Sequence, residues 1–191
     1  MDISLKNVSF GYTDALIFRA LNISFADGST TLIMGPSGSG KTTLLNLMMG
    51  LVMPGSGEIT GVPERFSAVF QEDRLCESFS ALRNITVAGV SAGQAERALA
   101  KLELSGFCNT PVKEFSGGMK RRVAIARAML AGGGAVFMDE PFKGLDERLK
   151  TIAAEFIKEY LHGRTLVAVS HDSRDAELLG GTIADIVAQD A

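Results

Sequence analysis

Gly35-Pro36-Ser37-Gly38-Ser39-Gly40-Lys41-Thr42 follows the pattern G-x-x-x-x-G-K-[ST]. That spacing builds a phosphate cradle. Glycines let the backbone curl until several N–H groups point at phosphate oxygens, and the helix that starts there adds the positive end of its dipole. Lys41 places a point charge at the β- and γ-phosphates, and Thr42 offers a hydroxyl to Mg²⁺. The loop therefore reads as a site for a nucleoside triphosphate. Its partner acid must come from the tip of another strand, and Ala135-Val136-Phe137-Met138-Asp139-Glu140 supplies two carboxylates behind four apolar residues. Asp139 is expected to hold Mg²⁺ through water, leaving Glu140 as general base on an attacking water. Adjacent residues on a strand point to opposite sides, which suits two separate roles.

A second anion site is indicated at Phe115-Ser116-Gly117-Gly118-Met119. Ser116 is an N-cap, two glycines open the approach, and a helix follows on Val123, Ala124, Ala128 and Leu130. The exposed N-terminus of that helix can take negative charge.

These residues need a frame. Ile3, Leu5, Val8 and Phe10, then Leu21, Ile23 and Phe25, alternate with period two, which predicts antiparallel strands with a bulge at Lys6-Asn7. Asp27-Gly28 is a turn, and Thr31 to Met34 is a short apolar strand running into the phosphate loop. The helix from Thr42 to Met49 ends at Gly50. Beyond it, strands at 65–70, 135–138, 165–169 and 183–188 alternate with helices, the pattern of a mostly parallel, helix-covered sheet. The helix on Leu149, Ile152, Ala153, Phe156, Ile157, Tyr160 and Leu161 presents one apolar face. Residues 76–114 contain helical patches such as Ala95 to Leu104 and no convincing strand, so they read as a small helical insertion. The fold class is α/β: a P-loop NTPase whose mostly parallel sheet is flanked by helices, with an N-terminal antiparallel β part.

The composition agrees with one globular domain: 191 residues, 46% hydrophobic, 21% charged, net charge −3. The longest weakly charged stretch, 123–138, is interrupted by Arg127 and by Gly132, Gly133 and Gly134, too short for the roughly 20 apolar residues of a membrane span. Mean hydropathy is nonetheless positive, +0.19, which leaves room for an apolar docking face. The start has no basic segment followed by an apolar block, so a secretory signal is not expected. Cys76 and Cys108 lack metal-ligand spacing and read as free, reduced thiols. With pI near 5.5 and one basic run, Lys120-Arg121-Arg122, only three residues long, nucleic acid is not an expected partner. The expected location is cytoplasmic.

Ser116-Gly117-Gly118 with its basic, alanine-rich helix, lying 139 − 116 = 23 residues before Asp139, resembles the signature motif of ATP-binding cassette (ABC) ATPases. Further matches follow in family order. Tyr12 in Phe-Gly-Tyr resembles the adenine-stacking aromatic, and Gln71 in Val-Phe-Gln the lid glutamine. Pro141 to Asp146 resembles the segment ending in the D-loop, and His171 in Val-Ser-His-Asp the switch histidine. Pro54 to Ile59 resembles the turn after the first helix. Each has a plainer rival: Tyr12 as a sheet-packing aromatic, Gln71 as a polar strand end, His171 as a capping residue, Asp146 as the cap of the next helix. His162 lacks such a context and reads as a solvated helix end.

The resemblance covers nearly the whole chain. It implies a single ABC ATPase domain over 1–191, divided into an antiparallel β part at about 1–30, a RecA-like core at about 31–75 and 132–191, and a helical subdomain at about 76–131. It implies ATP and Mg²⁺ as cofactors: nucleotide on Tyr12 and on Gly35, Pro36, Ser37, Gly38, Ser39, Gly40, Lys41, Thr42 and Thr43, metal on Thr42, Gln71 and Asp139, and catalysis by Glu140, His171, Lys41 and Gln71. Ser116, Gly117 and Gly118 would cover ATP bound to a second subunit, and Asp146 would sit at that interface. The implied partners are a second copy or paralogue, an integral membrane permease and, optionally, a substrate-binding protein. The chain would then work at the cytoplasmic face of the membrane. Stretches around Glu140 to Asp146 and Phe70 to Leu75 look most like importers of nitrate, sulfonate and taurine. The alternatives are a non-transport ABC ATPase and a P-loop small-molecule kinase. Phe115 and Met119 depart from the family's usual Leu and Gln, so Met119 is not carried over as a ligand. The intervals from Lys41 to Gln71 and from Gln71 to Ser116 are shorter than usual, which trims peripheral strands and the helical insertion.

Overall fold

A computed structural model of the chain describes residues 1–13 and 15–186. In chain order the elements are β1 (Ile3–Phe10), β2 (Phe18–Phe25), β3 (Thr30–Met34), α1 (Lys41–Met48), β4 (Ser56–Thr60), β5 (Phe66–Val69), α2 (Ala81–Thr86), α3 (Ala92–Lys101), α4 (Gly117–Leu130), β6 (Ala135–Asp139), α5 (Glu147–Leu161), β7 (Thr165–Val169), α6 (Arg174–Leu179) and β8 (Thr182–Asp185). Two sheets form. One is antiparallel, in the order β2-β1-β4, and the other is parallel, in the order β5-β6-β7-β3-β8.

The period-two residues of β1 do face one core: Ile3, Leu5, Val8 and Phe10 are all buried. The expected bulge is present. Leu5 pairs with Ile23 and Val8 with Leu21, so β1 carries an extra residue across Lys6-Asn7. Asn7 absorbs it at φ 50°, a conformation asparagine tolerates better than most residues. The third strand, β4, was not separable in the sequence from the turn before it, because Gly55 and Gly57 interrupt the alternation.

In the parallel sheet, alternate residues serve two cores. Leu32, Val136, Met138, Leu166 and Ala168 pack under α2 to α6. Ile33, Ala135, Phe137, Val167 and Val169 face the other way, onto α1 and the antiparallel sheet. Burial on both faces explains why these strands read as unbroken apolar runs.

Some boundaries differ from expectation. The helix placed at 95–104 runs from Ala92 to Lys101, because Ser91 and Gln94 form a capping box that starts it earlier. It stops before Glu103, whose φ is 57°. Helix α6 carries no strong sequence signal and was not expected. The last strand is described as Thr182–Asp185; positions 187 and 188 of the expected strand lie outside the described residues. No helix among the described residues is long and apolar enough to cross a membrane. Cys76 is exposed and Cys108 half-buried, both free thiols.

Candidate functional site

Strand β3 delivers the phosphate loop at the end of the parallel sheet, where crevices beyond the strand tips collect ligands. The loop leaves at Gly35, φ 150°, against the residue that follows β8: a Cβ there would meet the Ile186 carbonyl oxygen at 2.4 Å. Helix α1 begins after Gly40, φ 89°, with no side chain capping its first turn. Its N–H groups are thus left to an anion. Lys41 is buried, and its Nζ donates to the carbonyls of Gly35 and Pro36 at 2.8 Å each. The ammonium is folded back onto the loop it serves. Ser39 Oγ is buried with no hydrogen-bond partner among the described residues, and Thr43 is buried as well.

The acids come from β6, next to β7 in the sheet. Thr42 Oγ1 donates to Asp139 Oδ2 at 2.7 Å. Burial pushes the Asp139 carboxyl above its usual range, while the bond from Thr42 pulls it down, the charge of Glu140 pushes it up, and Arg121 and Lys41 pull it down. A hydroxyl and a carboxylate in contact, with Gln71 lining the same cavity, form an all-oxygen donor set suited to a hard cation. The single carboxylate leaves most positions to water and phosphate, as Mg²⁺ prefers.

Glu140 departs from the strand reading. It does not point away from Asp139, because β6 ends at Asp139 and Glu140 turns at φ 50°. Its N–H donates to the Val169 carbonyl at 2.9 Å, and both carboxylates line one cavity of about 260 Å³. A left-handed non-glycine residue costs on the order of 1–2 kcal/mol, so neighbouring structure must hold it there. One such hold is His171, whose Nε2 lies 2.7 Å from Glu140 Oε1.

That cavity brings together Ser37, Gly38, Gly40, Lys41, Thr42, Thr43, Gln71, Asp139, Glu140 and His171. Gly35, Pro36 and Ser39 stand behind it in the loop. Tyr12 is not among its lining residues. The residue is 61% exposed and its ring meets Phe10 edge-on at 5.0 Å, and Ile17 lines the cavity from the same connection. Ser116 caps α4 by accepting from the Met119 N–H at 3.3 Å, away from the Lys41 cavity. Gly117 faces open space, whereas Gly118 lies against the loop before α5, where a Cβ would come within 3.0 Å of the Gly144 oxygen. Asp146 caps α5 through the Leu149 N–H at 2.8 Å. His162 is the left-handed end of α5.

Several site residues were not found in the sequence. Ile17 and Val169 line the nucleotide cavity. Behind His171, Ser170 Oγ donates to Asp175 Oδ2 and accepts from the Asp172 N–H at 3.0 Å. Arg121 and Arg122, read only as part of a short basic run, are buried at 3% and 7% exposure. Arginine seldom goes inside without partners, but nothing in the sequence names those partners.

Loop, acids and sheet order define a P-loop NTPase. Residues 18–143 match the ABC transporter family, and the chain belongs to that family. It is 32% identical to the aliphatic sulfonates import ATP-binding protein SsuB 3 of Rhodococcus jostii, over 95% of this chain and 69% of that one. It is equally 32% identical to the Nod factor export ATP-binding protein I of Cupriavidus pinatubonensis, over 93% of this chain, spanning only 61% of that relative's length. The taurine import ATP-binding protein TauB of Pelagibacter ubique is 34% identical over 85% of this chain and 68% of its own. Among solved structures, a dimeric ATP-binding cassette in a post-hydrolysis state with ADP and Pi superposes with a TM-score of 0.85 at 27% identity, covering 98% of this chain and 97% of that one.

Proposed function

We propose that this chain is the ATP-binding and ATP-hydrolysing subunit of a transporter, forming a single ABC ATPase domain that powers a separate membrane permease. The observation that carries the reading is the convergence of Lys41, the Thr42–Asp139 pair and the Glu140–His171 pair on one cavity. Lys41 and the loop N–H groups hold the β- and γ-phosphates. Bound Mg²⁺, on Thr42, Asp139 and Gln71, would supply charge neutralisation at the phosphates. Glu140 takes the proton from the attacking water, and His171 orients the Glu140 carboxylate and meets the γ-phosphate.

The signature residues belong to a different ATP. Ser116 and Gly117 are exposed at the start of α4, and Ser116 is not among the residues lining the Lys41 cavity. A head-to-tail pair of copies, or of paralogues, puts each signature over the other's nucleotide and shares both sites. Asp146 and the Glu140–His171 pair would then lie near the shared boundary. That this chain also superposes on a cassette solved as a dimer supports the pairing.

The load is a permease, with the chain peripheral at the cytoplasmic face and a small molecule or anion as cargo. Support comes from relatives named for sulfonate and taurine import; a substrate-binding protein would complete an importer. The Nod factor relatives are named for export at 32% and 33% identity, which fits direction being set by the permease. The test is twofold. The purified chain should release phosphate from ATP with water as the only acceptor, and the tagged chain should co-purify an integral membrane protein from its native membranes. Phosphate transfer to a small-molecule acceptor, or a preparation free of any membrane partner, sinks the transporter reading.

A further inference from the structure

The segment leaving β5 carries Gln71 into the nucleotide cavity, and two arginines of α4 hold it. Arg121 donates through one terminal nitrogen to the Phe70 carbonyl and through the other to the Gln71 carbonyl, each at 2.7 Å. Its Nε lies 3.2 Å from Asp73 Oδ1, a charge contact rather than an aligned hydrogen bond. Arg127 donates to the Asp73 carbonyl at 3.0 Å and the Arg74 carbonyl at 2.9 Å. Arg74 turns at φ 46° and lays its guanidinium 3.6 Å from the centre of the Phe70 ring. Four carbonyls of one irregular segment thus accept from a single helix. That helix begins at Ser116.

We propose that Arg121 is a positioning residue for Gln71, tying the lid glutamine of one nucleotide site to the helix whose N-terminus covers the other. This rests on the paired-ATPase reading above. A buried guanidinium fork with two parallel donors fixes direction as well as distance, which an ammonium cannot do. Arg121 is also close enough in sequence to Ser116, 121 − 116 = 5 residues, that the helix between them transmits displacement as a rigid rod of about 7–8 Å. When α4 moves to engage the partner's ATP, the Gln71 carbonyl must follow or two buried donors lose their acceptors. Site occupancy on one subunit is thereby read as lid position on the other.

Two measurements test this. First, in the Glu140→Gln background, amide exchange over residues 70–75 should rise at least about fivefold on adding Arg121→Leu, with residues 31–49 unchanged. Second, kcat for ATP should fall about 10- to 100-fold in Arg121→Leu, with KM within about twofold. The double variant Arg121→Leu/Gln71→Ala should be no slower than Gln71→Ala alone. Unchanged exchange at 70–75 overturns the proposal, and so do losses that multiply in the double variant. If Arg121→Leu does not fold, Arg121→Lys enters the same cycle, with a smaller loss that Gln71→Ala again absorbs. A wild-type chain that releases no phosphate counts against the functional reading, while the exchange measurement still decides the coupling.

Discussion

Glu140→Gln removes a charge and leaves the shape of the site in place. The amide oxygen can still accept where Glu140 Oε1 now lies 2.7 Å from His171 Nε2. The left-handed backbone at φ 50° is no harder for Gln than for Glu, so folding stability should shift by less than about 0.5 kcal/mol. What is lost, on the proposed mechanism, is the basicity that would take the proton from water. Positioned general bases contribute about 10²–10⁴ in rate, and at about 1.36 kcal/mol per decade the barrier should rise by about 3–5 kcal/mol. Phosphate release under saturating ATP and Mg²⁺ reads that loss directly. Fluorescent-nucleotide titration should give an affinity within about threefold of wild type, since Lys41 and the loop amides are untouched. With the separating step blocked, size-exclusion chromatography with light scattering should show an ATP-dependent dimer. Glu140→Ala provides the contrast: it also strips His171 of its acceptor, so any further loss beyond Gln measures that contact. A Gln variant within tenfold of wild type would refute Glu140 as base. A Gln variant that stays monomeric at saturating ATP would refute the shared sandwich.

Gly40→Ala should damage fold and binding together, because its Cβ would lie 2.5 Å from Ile17 Cγ2 and 2.7 Å from Phe18 Cζ at φ 89°. The cost is on the order of 2 kcal/mol or more, a fall in Tm of about 4–8 °C for a chain of this size, and calorimetry that shows no fall would contradict the packing. Asp175 is 4% exposed, and burial pushes its carboxyl upward against the hydrogen bond from Ser170 and the charge of Lys150. The folded chain therefore binds a proton there more tightly than the unfolded chain, so this group costs stability as pH rises above the usual carboxylate range. Asp175→Asn removes that cost, and the Tm of the variant minus that of wild type should grow from pH 4.5 to pH 7. A difference that is flat or falls with pH would show the carboxylate to be compensated.

Legibility followed locality. The phosphate loop, the Asp146 cap and the Ser116 cap each lie within about two turns of chain, and the bulge at Asn7 shows as a slip in one strand's alternation. Strand β4 and helix α6 did not show: the first is broken by glycines, and the second is six residues whose helicity depends on packing Ala176 and Leu179. Reading Glu140 as the continuation of a strand put it on the wrong side of Asp139, because alternation holds only while the backbone stays extended. Tyr12, chosen by resemblance, stands at 61% exposure, and Ile17 from the same connection lines the cavity.

By itself the sequence determined the chemistry: a curled glycine loop with Lys41 and Thr42, two acids at a buried strand tip, and a capped helix N-terminus. Those are properties of residue type and short spacing, and physics assigns them without a fold. The tertiary structure decided assembly. Thr42 meets Asp139 across 97 residues of chain, Glu140 swings to His171 because β6 and β7 are neighbours and its φ is positive, and Arg121 finds the carbonyls of Phe70 and Gln71 about 50 residues away. The reason is that hydrogen bonds to backbone carbonyls carry no side-chain signature at the accepting end, so a buried arginine's partners become visible only when the chain has closed around it.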